Sequence, residues 1–113
     1  MNEGRWVKEL PAEIMVCDSA GIILEMNLCA EALFAGDGGR GLLGSDVLTC
    51  HPDPARGKLE SMMDKQVANS YFITENGTTS FFHQSPWYKE GLYAGFLEIS
   101  FEVPENIPHF VRE

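Results

Sequence analysis

Three side chains in this sequence are the candidates considered for catalysis or metal binding: Cys50, the adjacent His51, and His83. Cys50 and His83 would supply the nucleophile and the base of a cysteine hydrolase, but the pattern offers no acidic residue to orient the histidine. The GxSxG and HExxH motifs of serine hydrolases and metalloproteases are also missing from the sequence. We therefore expect no enzymatic activity.

The cysteine pattern predicts free thiols rather than a metal site or disulfides. The three cysteines, Cys17, Cys29 and Cys50, are widely spaced, and no two of them form a CxxC pair. A structural zinc site needs about four ligands in paired clusters, and a disulfide framework needs an even number of cysteines. Buried thiols in a reducing cytoplasm are the simplest interpretation.

Composition and charge predict a single acidic globular domain. The chain has 113 residues, of which 44% are hydrophobic and 22% charged, and its formal net charge is −9. This excess of acidic residues repels phosphate backbones and anionic lipids, so we expect neither a nucleic-acid partner nor a membrane partner. No apolar run has the length of a membrane span or a secretory leader, so we expect a cytoplasmic location.

Residues 36–41 (GDGGRG) are the part of the sequence closest to a phosphate-binding loop. A P-loop has the form GxxxxGK[ST] and lies between a strand and a helix. Here a predicted helix precedes the glycines, and no Lys-Ser or Lys-Thr pair follows them. A flexible connector is therefore the preferred interpretation.

Residues 1–10 are predicted to form a short lead-in helix before Pro11. Its apolar side chains have the i, i+1, i+4 spacing of one helix face: Trp6, Val7 and Leu10. Because an apolar stripe on such a helix usually packs against a partner, these residues are candidates for an interface.

The next elements predicted are a hairpin and two helices. Residues 13–18 and 22–26 are β-prone runs around a turn of Asp, Ser and Gly, and Asn27 is suited to cap the following helix. Asp53 followed by Pro54 predicts the start of a longer helix, with a capping carboxylate and then proline at the first helical position. Apolar residues then recur with a helical period at positions 55, 59, 62, 63 and 67.

The last third of the chain is predicted to form three antiparallel strands. Asn76-Gly77 is a strong hairpin signal, because both central positions of a type I′ turn favour positive φ. In residues 92–103, apolar residues at odd positions from 97 alternate with polar ones, which predicts a buried apolar face and a polar face in solvent. With the first hairpin, these strands predict an α+β fold: a five-stranded antiparallel sheet with helices packed on one face.

This order of elements, together with several short segments, resembles a PAS domain. Residues 10–18 (LPAEIMVCD) and 21–27 (GIILEMN) resemble the opening hairpin of that family and the asparagine that starts its next helix. Residues 30–34 (AEALF) and Leu43-Gly44 resemble the following helix and a later hydrophobic-Gly step. The resemblance covers residues 10–103, which we expect to form the core of a single domain between a lead-in at 1–10 and a tail at 104–113.

One segment resembles a subgroup of prokaryotic PAS domains that are appended to hemerythrin-like domains. Residues 44–52 (GSDVLTCHP) are similar to a stretch of that subgroup, as are residues 81–83 (FFH) and 95–99 (GFLEI) in two of its strands. The resemblance implies a bacterial signalling module without catalytic activity of its own. PAS domains sense by enclosing a small molecule under their helices, or relay signals by pairing with another domain.

The resemblance also has implications for cofactor binding. In haem-binding PAS domains the iron ligand is a histidine on the helix that faces the pocket, and a neutral imidazole such as that of His51 suits haem iron. The alternative for His51 is a hydrogen bond to a backbone carbonyl at the start of the helix. A flavin photosensor needs a cysteine in an Asn-Cys-Arg-like helix, which this sequence lacks, so FMN is not expected.

Two functional hypotheses follow, each with its own residues. A sensor with an internal ligand would use residues predicted on the inner side of the sheet, in the main helix or just before it: His51, Leu59, Met62, Phe81, His83 and Ser85. An interaction module would use apolar residues predicted at the surface: Trp6, Val7, Leu10, Phe82 and Phe96. Its partner would be a second copy, forming a homodimer, or another signalling domain, with or without a ligand inside.

Overall fold

A computed structural model describes residues 5–113, apart from the side chains of Arg5 and Cys50. Five antiparallel strands form one sheet in the order β2-β1-β5-β4-β3. The strands are β1 (Glu13–Asp18), β2 (Ile23–Met26), β3 (Asn69–Glu75), β4 (Thr78–Lys89) and β5 (Leu92–Val103). Because β1 pairs with β5, the opening hairpin and the closing three strands belong to a single layer, as predicted.

Helices and 3-10 turns connect the strands in the described part of the chain. The helices are α1 (Arg5–Lys8), α2 (Leu28–Leu33) and α3 (Ala55–Lys65), and the 3-10 turns are Ala35–Asp37, Gly39–Leu42 and Val47–Cys50. None of these helices has both the length and the apolar character that crossing a membrane requires. Residues 1–4 of the predicted lead-in helix lie outside the described residues.

The predicted start of α3 is wrong by one residue. Pro54 holds the N-cap position with φ −85° and ψ −6°, and no side chain caps the helix. Asp53 therefore precedes the cap instead of forming it. The apolar stripe of α3 is confirmed at its centre, where Leu59 and Met62 are buried, whereas Val67 lies beyond the helix and is exposed.

Asn27 joins the lead-in segment, the first hairpin and α2. Its Oδ1 accepts hydrogen bonds from the backbone N–H groups of Ala30 (3.0 Å) and Ile14 (3.1 Å). Its Nδ2 donates to the carbonyl oxygens of Val7 (3.0 Å) and Ala12 (2.7 Å). The predicted cap is thus confirmed, and the same buried amide also holds the chain before β1 against the sheet.

The connections follow the turn chemistry of the sequence, with one exception. Asn76 and Gly77 have φ values of 52° and 79°, which confirms the predicted turn between β3 and β4. The glycine-rich segment is more ordered than a flexible connector, because hydrogen bonds close two successive 3-10 turns within it. Buried Leu42 attaches the second of these turns to the core.

The two faces of the sheet differ in what covers them. We call the face covered by α2 and α3 the inner face; its positions on β1, β4 and β5 are Glu13, Met15, Cys17, Phe82, Gln84, Phe96, Glu98 and Ser100. We call the opposite face the outer face; its positions are Ile14, Val16, Phe72, Phe81, His83, Ser85, Leu97, Ile99 and Phe101. The core cluster joins the apolar inner-face residues to Ala30, Leu59 and Met62.

The alternation predicted for β5 is present, but its orientation is reversed. Phe96 is 3% exposed and Ser100 is also buried, whereas Phe101 is 44% exposed. The polar residues of β5 therefore face the helices, where Glu13 and Gln84 give them hydrogen-bond partners. Alternation shows which residues share a face and leaves open which face is covered.

Candidate functional site

A small cavity lies between the inner face and α3. Three polar side chains, His51, Gln84 and Glu98, contribute to its walls. The rest of the lining is mainly apolar and includes Met15 and Leu59. The volume is about 20 Å³, which is room for about one water molecule.

Four polar inner-face residues form a hydrogen-bonded cluster beside this cavity. The Ser100 hydroxyl donates to Glu13 Oε1 (2.8 Å), and the Gln84 amide donates to Glu98 Oε2 (2.8 Å). Glu13 is only 1% exposed, and the Glu98 carboxyl lies within hydrogen-bonding reach of it. Glu98 therefore belongs both to the cluster and to the cavity wall.

Glu13 is a carboxyl that keeps its proton at neutral pH. Burial, followed by the charge of Glu98 and the hydrogen bond between the two carboxyls, raises the pKa of Glu13 to about 9, although the hydrogen bond from Ser100 acts in the opposite direction. Glu13 Oε2 is buried and accepts no hydrogen bond from the residues that the structure describes.

Other titratable groups near the cluster also favour their neutral forms. Burial is the main cause that raises the pKa of Cys17, Cys29 and Tyr71, and the charge of Glu98 adds to the effect at Tyr71. Because the thiolate is the reactive form of cysteine, both thiols are poor nucleophiles. Cys17 and Cys29 are free, as the cysteine pattern predicts.

His51 contacts a backbone carbonyl, which is the alternative to haem ligation that the sequence leaves open. Its Nδ1 lies 2.9 Å from the carbonyl oxygen of Val47, and its ring is 6.5 Å from that of Phe34. A haem macrocycle is many times larger than the cavity beside His51, so the residues present do not fit haem in this conformation. Within residues 5–113, no group of three or more His, Cys, Asp or Glu side chains that the structure describes is arranged to hold a metal ion.

Solved structures with the same sheet and helix arrangement allow the fold to be identified. The PAS domain of a protein from Colwellia psychrerythraea has a TM-score of 0.66 and 19% identity, over 93% of this chain and 97% of that chain. The PAS domain of BvgS from Bordetella pertussis has a TM-score of 0.65 and 18% identity, over 88% of this chain and 82% of that chain. This chain has the PAS fold.

A third similar structure is the Aer2 receptor of Vibrio cholerae, described as a dual PAS-heme oxygen sensor. Its TM-score is 0.60 at 14% identity, over 82% of this chain and 95% of that chain. No protein-family model and no curated protein sequence matches the chain. The similarity therefore concerns the fold, and membership of the hemerythrin-associated subgroup stays a prediction.

The PAS sheet places the predicted pocket residues in three different environments. His51 and Leu59 line the cavity, while Met62 is buried in the core next to it. The other three candidates lie on the outer face, so the expectation that they face the interior is wrong: Phe81, His83 and Ser85. Register explains the difference, because it sets Gln84 opposite Glu98 and turns the neighbouring side chains away.

The predicted interface residues are also divided. Phe82 stacks on Tyr71 with ring centroids 5.3 Å apart, and both rings belong to the inner side of the sheet. Phe96 is a core residue, so the expectation that Phe82 and Phe96 lie on the outer face is wrong. In the lead-in, Trp6 is exposed, while Val7 and Leu10 are half-buried, and their role in an interface stays a prediction.

Sequence reasoning missed the polar cluster of Glu13, Gln84, Glu98 and Ser100. Each member occupies an alternate position in its strand. The two members in β5, Glu98 and Ser100, alternate with apolar residues, and this pattern predicts that they face solvent. The available signal was that a charged residue opens the first β-prone run at Glu13, on the same period as Met15 and Cys17. Recognising it requires the pairing of β1 with β5, which the sequence does not supply.

Proposed function

We propose that this chain is a PAS-type signal-sensing module that passes its signal on through protein–protein contacts of the outer face. The observation that carries the proposal is a row of aromatic rings across β3, β4 and β5. The rings of Phe72 and Phe81 are 5.5 Å apart, and those of Phe81 and Phe101 are 5.7 Å apart. Phe72 and Phe101 are exposed, so the row forms an apolar surface patch of the kind that binds a partner.

The charge distribution supports a second copy as the partner. Although the chain carries a net charge of −9, the outer-face positions from Thr79 to Trp87 in β4 and from Leu97 to Val103 in β5 include no Asp, Glu, Lys or Arg. Two such patches can meet without bringing like charges together at their centre. A two-fold symmetric pair uses the same patch on both subunits.

The test is light scattering at several protein concentrations. We expect the wild type to dimerise as concentration rises and Phe101→Glu to remain monomeric, because the substitution places a charge in the patch. Leu92→Glu is the matched control: Leu92 is an exposed apolar residue (73%) of the same strand, at the turn outside the patch. A wild type that stays monomeric contradicts self-association and points to another signalling domain as the partner.

The second candidate function is binding of a small molecule inside the domain. It is favoured by the cavity, where Gln84, Glu98 and His51 converge among apolar walls. Native mass spectrometry of freshly purified protein tests it, because a retained ligand adds its mass to the chain. A chain at its own mass favours a pure interaction module, and a Soret band in the absorbance spectrum would restore the haem alternative. No catalytic role is proposed.

A further inference from the structure

Residues 104–113, which we call the tail, carry apolar side chains that the rest of the described chain leaves exposed. The tail forms neither helix nor strand and is exposed along its whole length. Ile107 is 56% exposed, Phe110 77% and Val111 78%. Because apolar surface in water is unfavourable, such a segment is typical of one that packs against a partner.

An open groove next to the row of aromatic rings complements the tail in composition. Its volume is about 590 Å³, and it lies between the turn that joins β3 to β4 and the start of the tail. Its lining combines apolar side chains with two carboxylates and includes Phe72, Val103, Ile107, Glu102 and Glu105. Because Phe72 belongs to both the groove and the row, the groove is continuous with the surface proposed for self-association.

The tail leaves its own groove after Ile107. Ile107 lines the groove, whereas Phe110 and Val111 lie outside it and are more exposed. Pro104 and Pro108 fix φ on either side of Ile107 and provide no N–H group, so the tail neither continues β5 nor turns back freely. Phe110 and Val111 therefore remain available to a second copy of the chain.

We propose that, in the two-fold pair of the proposed function, the tail of each subunit occupies the groove of the other. Phe110 and Val111 pack against Phe72 of the second subunit, which removes apolar surface of both subunits from water. Arg112, the only lysine or arginine after Lys89, lies near the carboxylates of the groove. The inference rests on the self-association in the proposed function and adds a second contact to it.

Analytical ultracentrifugation of the whole chain tests the contact through the dissociation constant of the dimer. Phe110→Asp should raise this constant at least about tenfold, because it removes the ring and brings a carboxylate to a groove that already contains Glu102 and Glu105. Asn106→Asp is the matched control. It adds the same charge to the tail at an exposed residue that does not line the groove, and it should dimerise like the wild type.

Charge reversal shows whether the tail crosses from one subunit to the other. Arg112→Glu and Glu105→Arg each bring like charges together in the contact, and each variant alone should dimerise about threefold more weakly. In a mixture of the two variants, both contacts between unlike chains regain opposite charges, and the pair has the total charge of the wild-type dimer. We therefore expect the mixture to associate with the wild-type dissociation constant.

Three outcomes would overturn the inference. An unchanged dissociation constant in Phe110→Asp would exclude the tail from the interface and leave association through the outer face intact. A mixture of charge-reversed variants that associates no better than each variant alone would show that the tail does not cross between subunits. A wild type that is monomeric at every concentration would contradict self-association in the proposed function, and the exchange of tails with it.

Discussion

Each face of the sheet carries an exception to the arrangement that is usual in a small antiparallel protein. The covered face contains, beside its apolar core, a cluster of carboxyl, amide and hydroxyl groups around Glu13 and Glu98, whereas the uncovered face presents the aromatic row of Phe72, Phe81 and Phe101. Antiparallel sheets more often bury their apolar face and expose their polar one.

This contrast indicates which parts of the domain serve a function at some cost in stability. Buried carboxyls and exposed aromatic rings are both unfavourable for an isolated chain. Proteins tend to break such local rules at functional sites. The inner cluster is therefore the place where we propose a signal is received, and the outer patch is the place where we propose it is passed on.

The largest effect on stability is expected at Gly95, the residue of β5 that pairs with Asp18 of β1 and Trp87 of β4. Gly95 has φ 152°, and a Cβ there would collide with the carbonyl oxygen of Cys17 and with the indole of Trp87, which donates to that same oxygen (2.9 Å). Gly95→Ala should destabilise the domain by more than about 4 kcal/mol and prevent folding, as measured by circular dichroism. Gly36→Ala, which meets nothing within 4 Å, is the control and should fold normally.

The direct comparison of the two faces uses two phenylalanines of β5. Phe96→Ala removes a buried ring and should lower the free energy of unfolding by about 3–5 kcal/mol in urea. Phe101→Ala removes a ring that is 44% exposed and should lower it by less than about 1 kcal/mol. Equal losses would show that the faces are assigned incorrectly.

The pH dependence of the free energy of unfolding tests the inner cluster separately from the outer face. The unfolded chain releases the Glu13 proton near pH 4.5, while the folded protein keeps it to about pH 9, so the folded state binds more protons between these values. Stability should therefore fall as pH rises through this range, by up to about 1.4 kcal/mol per pH unit, or up to about 3 kcal/mol between pH 6 and pH 8.

Glu13→Gln should remove this slope, because its amide can donate to Glu98 at every pH and its oxygen can still accept from Ser100. Glu102→Gln should retain the wild-type slope. Chemical denaturation at several pH values measures both, and parallel profiles for the wild type and Glu13→Gln would contradict the raised pKa of Glu13.

The smallest expected effect on stability is the difference between two serine hydrogen bonds, one on each face of the sheet. Ser100→Ala leaves the buried Glu13 carboxyl without its donor and should cost about 1–2 kcal/mol. Ser70→Ala removes an exposed bond to His83 Nδ1 (2.6 Å) and should change stability by no more than about 0.5 kcal/mol. Thermal unfolding of the two variants measures both losses of stability. A loss in Ser70→Ala as large as that in Ser100→Ala would contradict the predicted difference between the faces.

Local features of the chain could be predicted because neighbouring residues specify them. The cap formed by Asn27, the turn at Asn76-Gly77 and the central stripe of α3 depend on residues a few positions apart. The order of strands and helices follows from such features, which is why the α+β class and the PAS resemblance were accessible. Asp53 failed as a cap because the helix begins one residue later than predicted, with Pro54 at the N-cap position.

The site itself depends on contacts between distant parts of the chain. Glu13 and Ser100, whose side chains are hydrogen-bonded, are 87 positions apart, and no local pattern links them. A strand has a side-chain period of two, so either of its faces can satisfy the same alternation until the sheet is assembled and its helices pack on one side. Packing therefore determined that Gln84 and Glu98 meet the cavity while His83 and Phe81 remain outside.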